Sequence, residues 1–174
     1  MRLEATELAG VLIVHLEPEA DGRGHFARLW DREVMGAAVD QASVSWNARR
    51  HTLRGLHWQA APHGEAKLVR CTRGALFDVA VDVRPGSPTE RRWVALHLSA
   101  RQPRALYLAA GLAHGFLTLE DDTEVTYLMA GRYAPEAVRG ARYDDPAFAI
   151  AWPAPPSVIA DRDRAFPSYD RGPR

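Results

Sequence analysis

Several things are scarce in this chain, and each scarcity narrows its class. There is a single cysteine, Cys71, so no disulfide can form within the chain, which fits a reducing compartment. There is no excess charge: Lys plus Arg and Asp plus Glu each number 22, which gives no general attraction to nucleic acid or to an anionic membrane. There is no long apolar run. The longest, around Ala105 to Ala113, falls well short of the ~18 residues a membrane-spanning helix needs. The opening MRLEATELAG lacks the basic and apolar stretches of a secretory leader. Repeats and low-complexity tracts are missing too. The expectation is a cytoplasmic protein with no nucleic-acid or membrane partner. Its 174 residues suffice for one domain with a true core.

What is present reads mainly as strand. Val11–Leu16, Thr52–Trp58, Ala66–Thr72, Ala75–Val83, Trp93–Ser99, Ala105–Ala109 and Thr123–Met129 are rich in Val, Leu and aromatics and are bounded by Gly, Pro or charge clusters. Arg73-Gly74 and Pro85-Gly86-Ser87-Pro88 are turn signals between them. Close-set strands of this kind predict a sandwich, jelly roll or barrel. One short helix is expected over Asp31–Ala38, with Asp31 as its N-cap. A single domain spans 1–174, with 153–174 as a tail or arm. Its richness in Pro, Arg and Asp reads, by itself, as a loose end.

The densest polar stretch runs from Arg54 to Gln59, followed by His63, Glu65 and Lys67. In a regular strand, period two sets Arg54 and Trp58 on one face and Leu53, Gly55 and His57 on the other. Lys67, Val69 and Cys71 share a face, and a lysine on an apolar strand face needs a partner or a ligand. Asp78 and Asp82 share a face of a nearly apolar strand. Buried carboxylates are rare unless paired, so they face a polar cavity or bond to neighbouring arginines, Arg84 being nearest to Asp82. His114 lies between small residues that permit close approach of backbone or ligand. His57, His63, Glu65 and His114 could suggest a metal-binding barrel. The offset of six positions from His57 to His63, with Pro62 interrupting the strand, argues against it, and no metal and no cofactor are expected.

Taken together, the motifs resemble the dTDP-4-dehydrorhamnose 3,5-epimerase family. Thr52-Leu53-Arg54-Gly55-Leu56-His57-Trp58-Gln59, Lys67-Leu68-Val69-Arg70-Cys71, Asp78-Val79-Ala80-Val81-Asp82-Val83-Arg84 and Ala113-His114-Gly115-Phe116 match in order and spacing. Tyr133-Ala134-Pro135-Glu136, Asp144-Asp145-Pro146, Trp152-Pro153 and Arg162-Asp163 continue the match. The resemblance implies a mainly β, cupin-like jelly-roll or β-barrel with a few short helices. It implies a homodimer acting on a nucleotide-sugar substrate in deoxysugar (dTDP-L-rhamnose type) synthesis, without a metal. It also implies residue roles: His57 as base with Asp163 as its partner, Tyr133 as acid, and Lys67 beside the sugar's carbonyl oxygen. Arg23 and Arg54 would take the diphosphate, Arg23 from across a subunit boundary, while His114 would line the sugar pocket and Phe26 would lie near the nucleotide base. For Asp163 the resemblance reverses the loose-end reading of the tail.

Such residues suit the implied reaction. A ketone at carbon 4 acidifies the protons on carbons 3 and 5, so inversion needs a base on one face and an acid on the other, and no redox cofactor. Histidine is the natural base near neutral pH. Lysine supplies charge where an enolate oxygen develops, and arginines grip a diphosphate. Arg28 stands where the family often has a glutamate that helps to hold the base, and Ser43, Ser45 and Asn47 fall in a stretch that varies between branches. The alternatives are a 3-epimerase on a related 4-keto sugar nucleotide, a metal-dependent cupin oxygenase, and an inactive sugar-nucleotide binder.

Overall fold

Alternating apolar residues build two antiparallel sheets that pack face to face in a jelly-roll arrangement. The structure, a computed structural model, describes residues 1–169; positions 170–174 of the expected tail lie outside them. The first sheet has the order β1 (Arg2–Ala5), β2 (Val11–His15), β10 (Arg104–Leu108), β7 (Ala66–Arg73), β12 (Thr123–Ala130), β5 (Gln41–Asn47). The second has β13 (Val138–Gly140), β6 (Thr52–Gln59), β11 (Leu112–Thr118), β8 (Ala75–Asp82), β9 (Trp93–Ser99). A short parallel strand, β14 (Val158–Ile159), pairs with the start of β6. β3 (Glu19–Asp21) and β4 (Gly24–Phe26) form a separate exposed hairpin. Among the described residues no helix is long and apolar enough to cross a membrane.

The main core lies between the sheets. Val69, Cys71, Leu106, Leu108 and Val125 meet Leu76, Ala80, Leu112 and Phe116 there. β8 is buried on both faces, which explains its unbroken apolar run: Val79 and Val81 point away from this core into a second cluster with Leu56, Phe148 and Trp152. The segment after β13 supplies the last two of these, and Tyr169 from the expected tail packs against the same cluster, on the outer face of the second sheet.

All seven expected strands are present within a residue or two. The expected helix shrinks to α1 (Arg32–Met35): Asp31 does cap it, accepting from the Glu33 amide at 3.0 Å, but Gly36 in the left-handed region ends it. β11, not among the expected strands, is a fully buried central strand, and its small residues do permit the close backbone approach expected around His114. Its glycine is demanded by a neighbour, because a Cβ on Gly115 would stand 2.8 Å from Leu56 and 3.0 Å from the Arg54 carbonyl.

Period two fails on β6. Across the β6–β11 ladder, His57 pairs with His114 and Arg54 with Phe116, so three steps on β6 oppose two on β11. This bulge shifts the parity of every residue beyond it. Arg54 and His57 therefore line the same cavity, while Trp58 turns outward into the second cluster. Gly55 sits at the bulge with φ 124°, and a Cβ there would lie 2.5 Å from Gly115 Cα.

Candidate active site

The bulge delivers His57 to a cavity of about 570 Å³ between the two sheets. The second sheet contributes Arg54, His57 and His114 to its wall; the first contributes Lys67 and Tyr127. Arg162 and Asp163 close it from α2 (Asp161–Arg164).

Asp163 reaches this place because β14 adds to β6 through Val158 opposite Thr52 and Ile159 opposite Leu53, and the chain turns directly into α2. Its Oδ1 lies 2.8 Å from His57 Nε2, and its Oδ2 accepts the Gly55 amide at 3.1 Å. Burial pushes this carboxyl up. The hydrogen bond and charge of His57, the Gly55 amide and the nearby Arg162 outweigh burial and hold it below the usual carboxylate range. A carboxylate bonded to Nε2 orients the ring and leaves Nδ1 without a hydrogen-bond partner among the described residues. Phe166 braces the other side, edge-on to the His57 ring at 5.7 Å. It packs so closely over Gly140 that no Cβ would fit there.

Lys67 carries the partner that its apolar strand face required: its Nζ lies 3.1 Å from Glu65, and both side chains are largely buried. Glu65 is held in turn by Gln59 Nε2 at 3.2 Å. Arg54 donates from Nε to Asn47 Oδ1 at 2.8 Å, which aims its guanidinium along the cavity. Asp78 and His114 form a buried pair, Oδ1 to Nε2 at 2.7 Å. Asp82 takes the other course open to it, gripping Arg84 at 2.7 Å together with the Ser87 and Thr89 hydroxyls.

Of the residues singled out in the sequence, His57, Asp163, Lys67, Arg54 and His114 converge. Three do not. Tyr133 lies just past β12, is 61% exposed and is outside the lining of the cavity. Tyr127, which sequence reasoning passed over as strand, lines it instead, with its ring edge-on to His114 at 6.0 Å. The physical reason is register: Tyr127 pairs with Val69 on β7 and so shares the inward face with Lys67, whereas Tyr133 follows the end of the strand. Burial, then the charge of Asp78, pushes the Tyr127 phenol well above its ordinary value. Arg23 and Phe26 lie on the exposed hairpin, the Arg23 side chain 90% exposed and, among the described residues, paired with Asp21. His63 also stays outside the lining, in the turn after β6, so the suggested histidine and glutamate set does not converge. The second residue missed is Arg162, whose guanidinium stands at the cavity edge beside Asp163.

Comparison with known proteins agrees with this geometry. The sequence model of the family described as dTDP-4-dehydrorhamnose 3,5-epimerase matches residues 5–171. A protein of that name from Sinorhizobium fredii is 42% identical over 97% of this chain and 89% of its own length. The solved rmlC epimerase of Mycobacterium tuberculosis superposes with a TM-score of 0.91 at 36% identity, covering 98% of this chain and 89% of that one. ChmJ, a 3'-monoepimerase from Streptomyces bikiniensis, has been solved with dTDP as a histidine-to-asparagine, tyrosine-to-phenylalanine double mutant. It superposes with a TM-score of 0.87 at 34% identity, over 96% of this chain and 87% of that one. Its two substituted positions are as far apart in sequence as His57 and Tyr127, and not as His57 and Tyr133.

Proposed function

The chain belongs to the dTDP-4-dehydrorhamnose 3,5-epimerase family of isomerases, and from that premise we propose that it inverts carbons 3 and 5 of a dTDP-4-keto-6-deoxyhexose by proton transfer between His57 and Tyr127. The observation that carries this reading is the placement of the two groups on opposite walls of one cavity, with Lys67 beside them.

The ketone makes each neighbouring C–H acidic, and His57 Nδ1 removes that proton. Asp163, bonded to Nε2 and held in place by the Gly55 amide, stabilises the imidazolium that forms. Negative charge collects on the carbonyl oxygen, where the Lys67 ammonium meets it without reorganising, because Glu65 already holds it in place. Tyr127 then returns a proton to the carbon from the opposite sheet. A phenol pushed up by burial keeps its proton until a group as basic as the enolate carbon takes it. The imidazolium and phenolate reset with solvent, and the same pair serves the second carbon after the ring has shifted. Tyr127 thus takes the role that the resemblance assigned to Tyr133.

Arg54 and Arg162 provide the charge for the diphosphate at the cavity edge. Arg23 and Phe26 stand on a hairpin outside the lining of the cavity. In a homodimer they would extend to the second copy's substrate, contacting its diphosphate and base.

The test is solvent exchange. With dTDP-4-keto-6-deoxyglucose in deuterium oxide, proton NMR should report exchange at both carbons, abolished in His57→Ala. Exchange at carbon 3 alone would reassign the protein as a 3-epimerase. No exchange at either carbon would overturn the proposal.

A further inference from the structure

The Asp144-Asp145-Pro146 motif takes no part in lining the cavity, and its two carboxylates behave differently. Asp144 is exposed and pairs with Arg142. Asp145 is only 2% exposed, and a carboxylate is costly to bury unless its oxygens are bonded. Both of them accept main-chain amides: Oδ1 from Ala147 at 2.9 Å and Oδ2 from Tyr169 at 2.7 Å. The second bond spans a long stretch of chain and ends on the arm that carries Asp163. Tyr169 is fixed there by its side chain as well. Its hydroxyl donates to the Val83 carbonyl at 3.1 Å, and its ring tilts against Phe148 at 4.9 Å.

The arm needs such an anchor. α2 has four residues, and Ala160 at its N-cap offers no side-chain bond; a helix this short has no stability of its own. Upstream it hangs from β14, a strand of two residues. Downstream of α2, among the described residues, Tyr169 makes the hydrogen bonds between the arm and the rest of the protein. Between α2 and that anchor, Phe166 lays its ring over Gly140, the residue opposite His57 on the β13–β6 ladder, and edge-on to His57 itself.

Asp145 in turn is tied to the frame that holds His57. Leu56 and Ala141 exchange main-chain hydrogen bonds at 3.0 and 3.1 Å, and the Asp145 amide donates to the Arg142 carbonyl at 3.2 Å. The contacts close a circuit: from His57 to Leu56, across to Ala141, on to Asp145, through its carboxylate to Tyr169, and back along the arm to Asp163 and His57. We infer that Asp145 is a positioning residue for the proposed base, because by fixing Tyr169 it sets where the arm presents Asp163 and Phe166 to His57. Opening the circuit at Asp145 leaves Asp163 on a two-residue strand and one turn of helix. A misplacement of about 1 Å in such a group costs about 10²-fold in rate. The inference rests on the epimerase reading for its rate measurements, but not for the tether.

The experiment begins with amide hydrogen exchange of the unaltered protein, followed by NMR. The Tyr169 amide should exchange as slowly as those of Arg164 and Ala165 in α2, as members of one cooperative unit. A Tyr169 amide that exchanges much faster than the Ala165 amide overturns the inference, and this measurement needs no variant. In Asp145→Asn the side chain can accept at only one of its two positions. The kcat should fall about 10²-fold, and the His57 ring signals of histidine-labelled protein should move towards those of Asp163→Asn. In the Asp163→Asn background the same change should cost no more than about twofold, since the carboxylate it positions is already gone. Tyr169→Ala, which loosens the anchor from its other side, should reproduce this pattern and takes its place if Asp145→Asn does not fold. Fully additive losses, or wild-type kcat in a folded Asp145→Asn protein, overturn the inference. Failure of solvent exchange with the 4-keto sugar in the unaltered protein would sink the epimerase reading alone, leaving the amide exchange rates to decide this one.

Discussion

The Nε2 of His57 lies 2.8 Å from the Oδ1 of Asp163, a residue 106 positions later in the chain. A four-residue helix holds the aspartate, and the bulge that turns His57 inward also offers it the Gly55 amide. The proposed base and the carboxylate bonded to it are thus brought together by one local irregularity of β6.

Replacing Asp163 with Asn keeps the shape and removes the charge. The rate of deuterium exchange into substrate should fall about 10³- to 10⁴-fold, the scale seen when a histidine loses its orienting carboxylate, while dTDP binding measured by calorimetry stays close to wild type.

Tyr127→Phe and Tyr133→Phe separate the two tyrosines. The first should abolish net inversion, read by product NMR, while still permitting exchange by His57 at the carbon it can reach. The second removes only an exposed hydroxyl and should retain most of the kcat.

Gly55→Ala tests the bulge. A Cβ at φ 124° meets Gly115 Cα at 2.5 Å and the His114 carbonyl at 2.8 Å, both backbone atoms that cannot step aside. Stability should drop by about 3 kcal/mol or more, measured by urea unfolding, and activity should go with it.

Asp82 sets a pH dependence. Burial raises its carboxyl, but Arg84, Ser87 and Thr89 lower it further, so the net value lies well below the ordinary one. A depressed carboxyl stabilises the fold above its unfolded value, near 4, and that contribution is lost as pH falls through the lowered folded value. Asp82→Asn should cost about 2 kcal/mol at pH 7, and the gap in melting temperature from wild type should narrow steadily below pH 4.

Cys71 is 1% exposed in the inter-sheet core, and burial pushes its thiol up to about 11. A thiol reagent at pH 8 should leave the native protein unlabelled and react with one equivalent only after denaturant is added.

The sequence alone determined the strands, because apolar periodicity and turn residues are local, and it marked out His57, Lys67, Arg54, His114 and Asp163 as a set through the resemblance their motifs carry. It could not determine which side chains share a face beyond Gly55, since one extra residue in a ladder reverses parity and nothing in Arg54-Gly55-Leu56-His57 announces the partner strand's count. For the same reason it pointed to Tyr133 where the inward position belongs to Tyr127: both are tyrosines near the end of β12, and only pairing with Val69 turns one of them to the cavity. The tail shows the same divide, for Pro, Arg and Asp look like a solvated end until Val158 and Ile159 find the open edge of β6. Long-range pairing decided those features, because it fixes at once the register, the facing side and the neighbours of residues that are far apart in the chain.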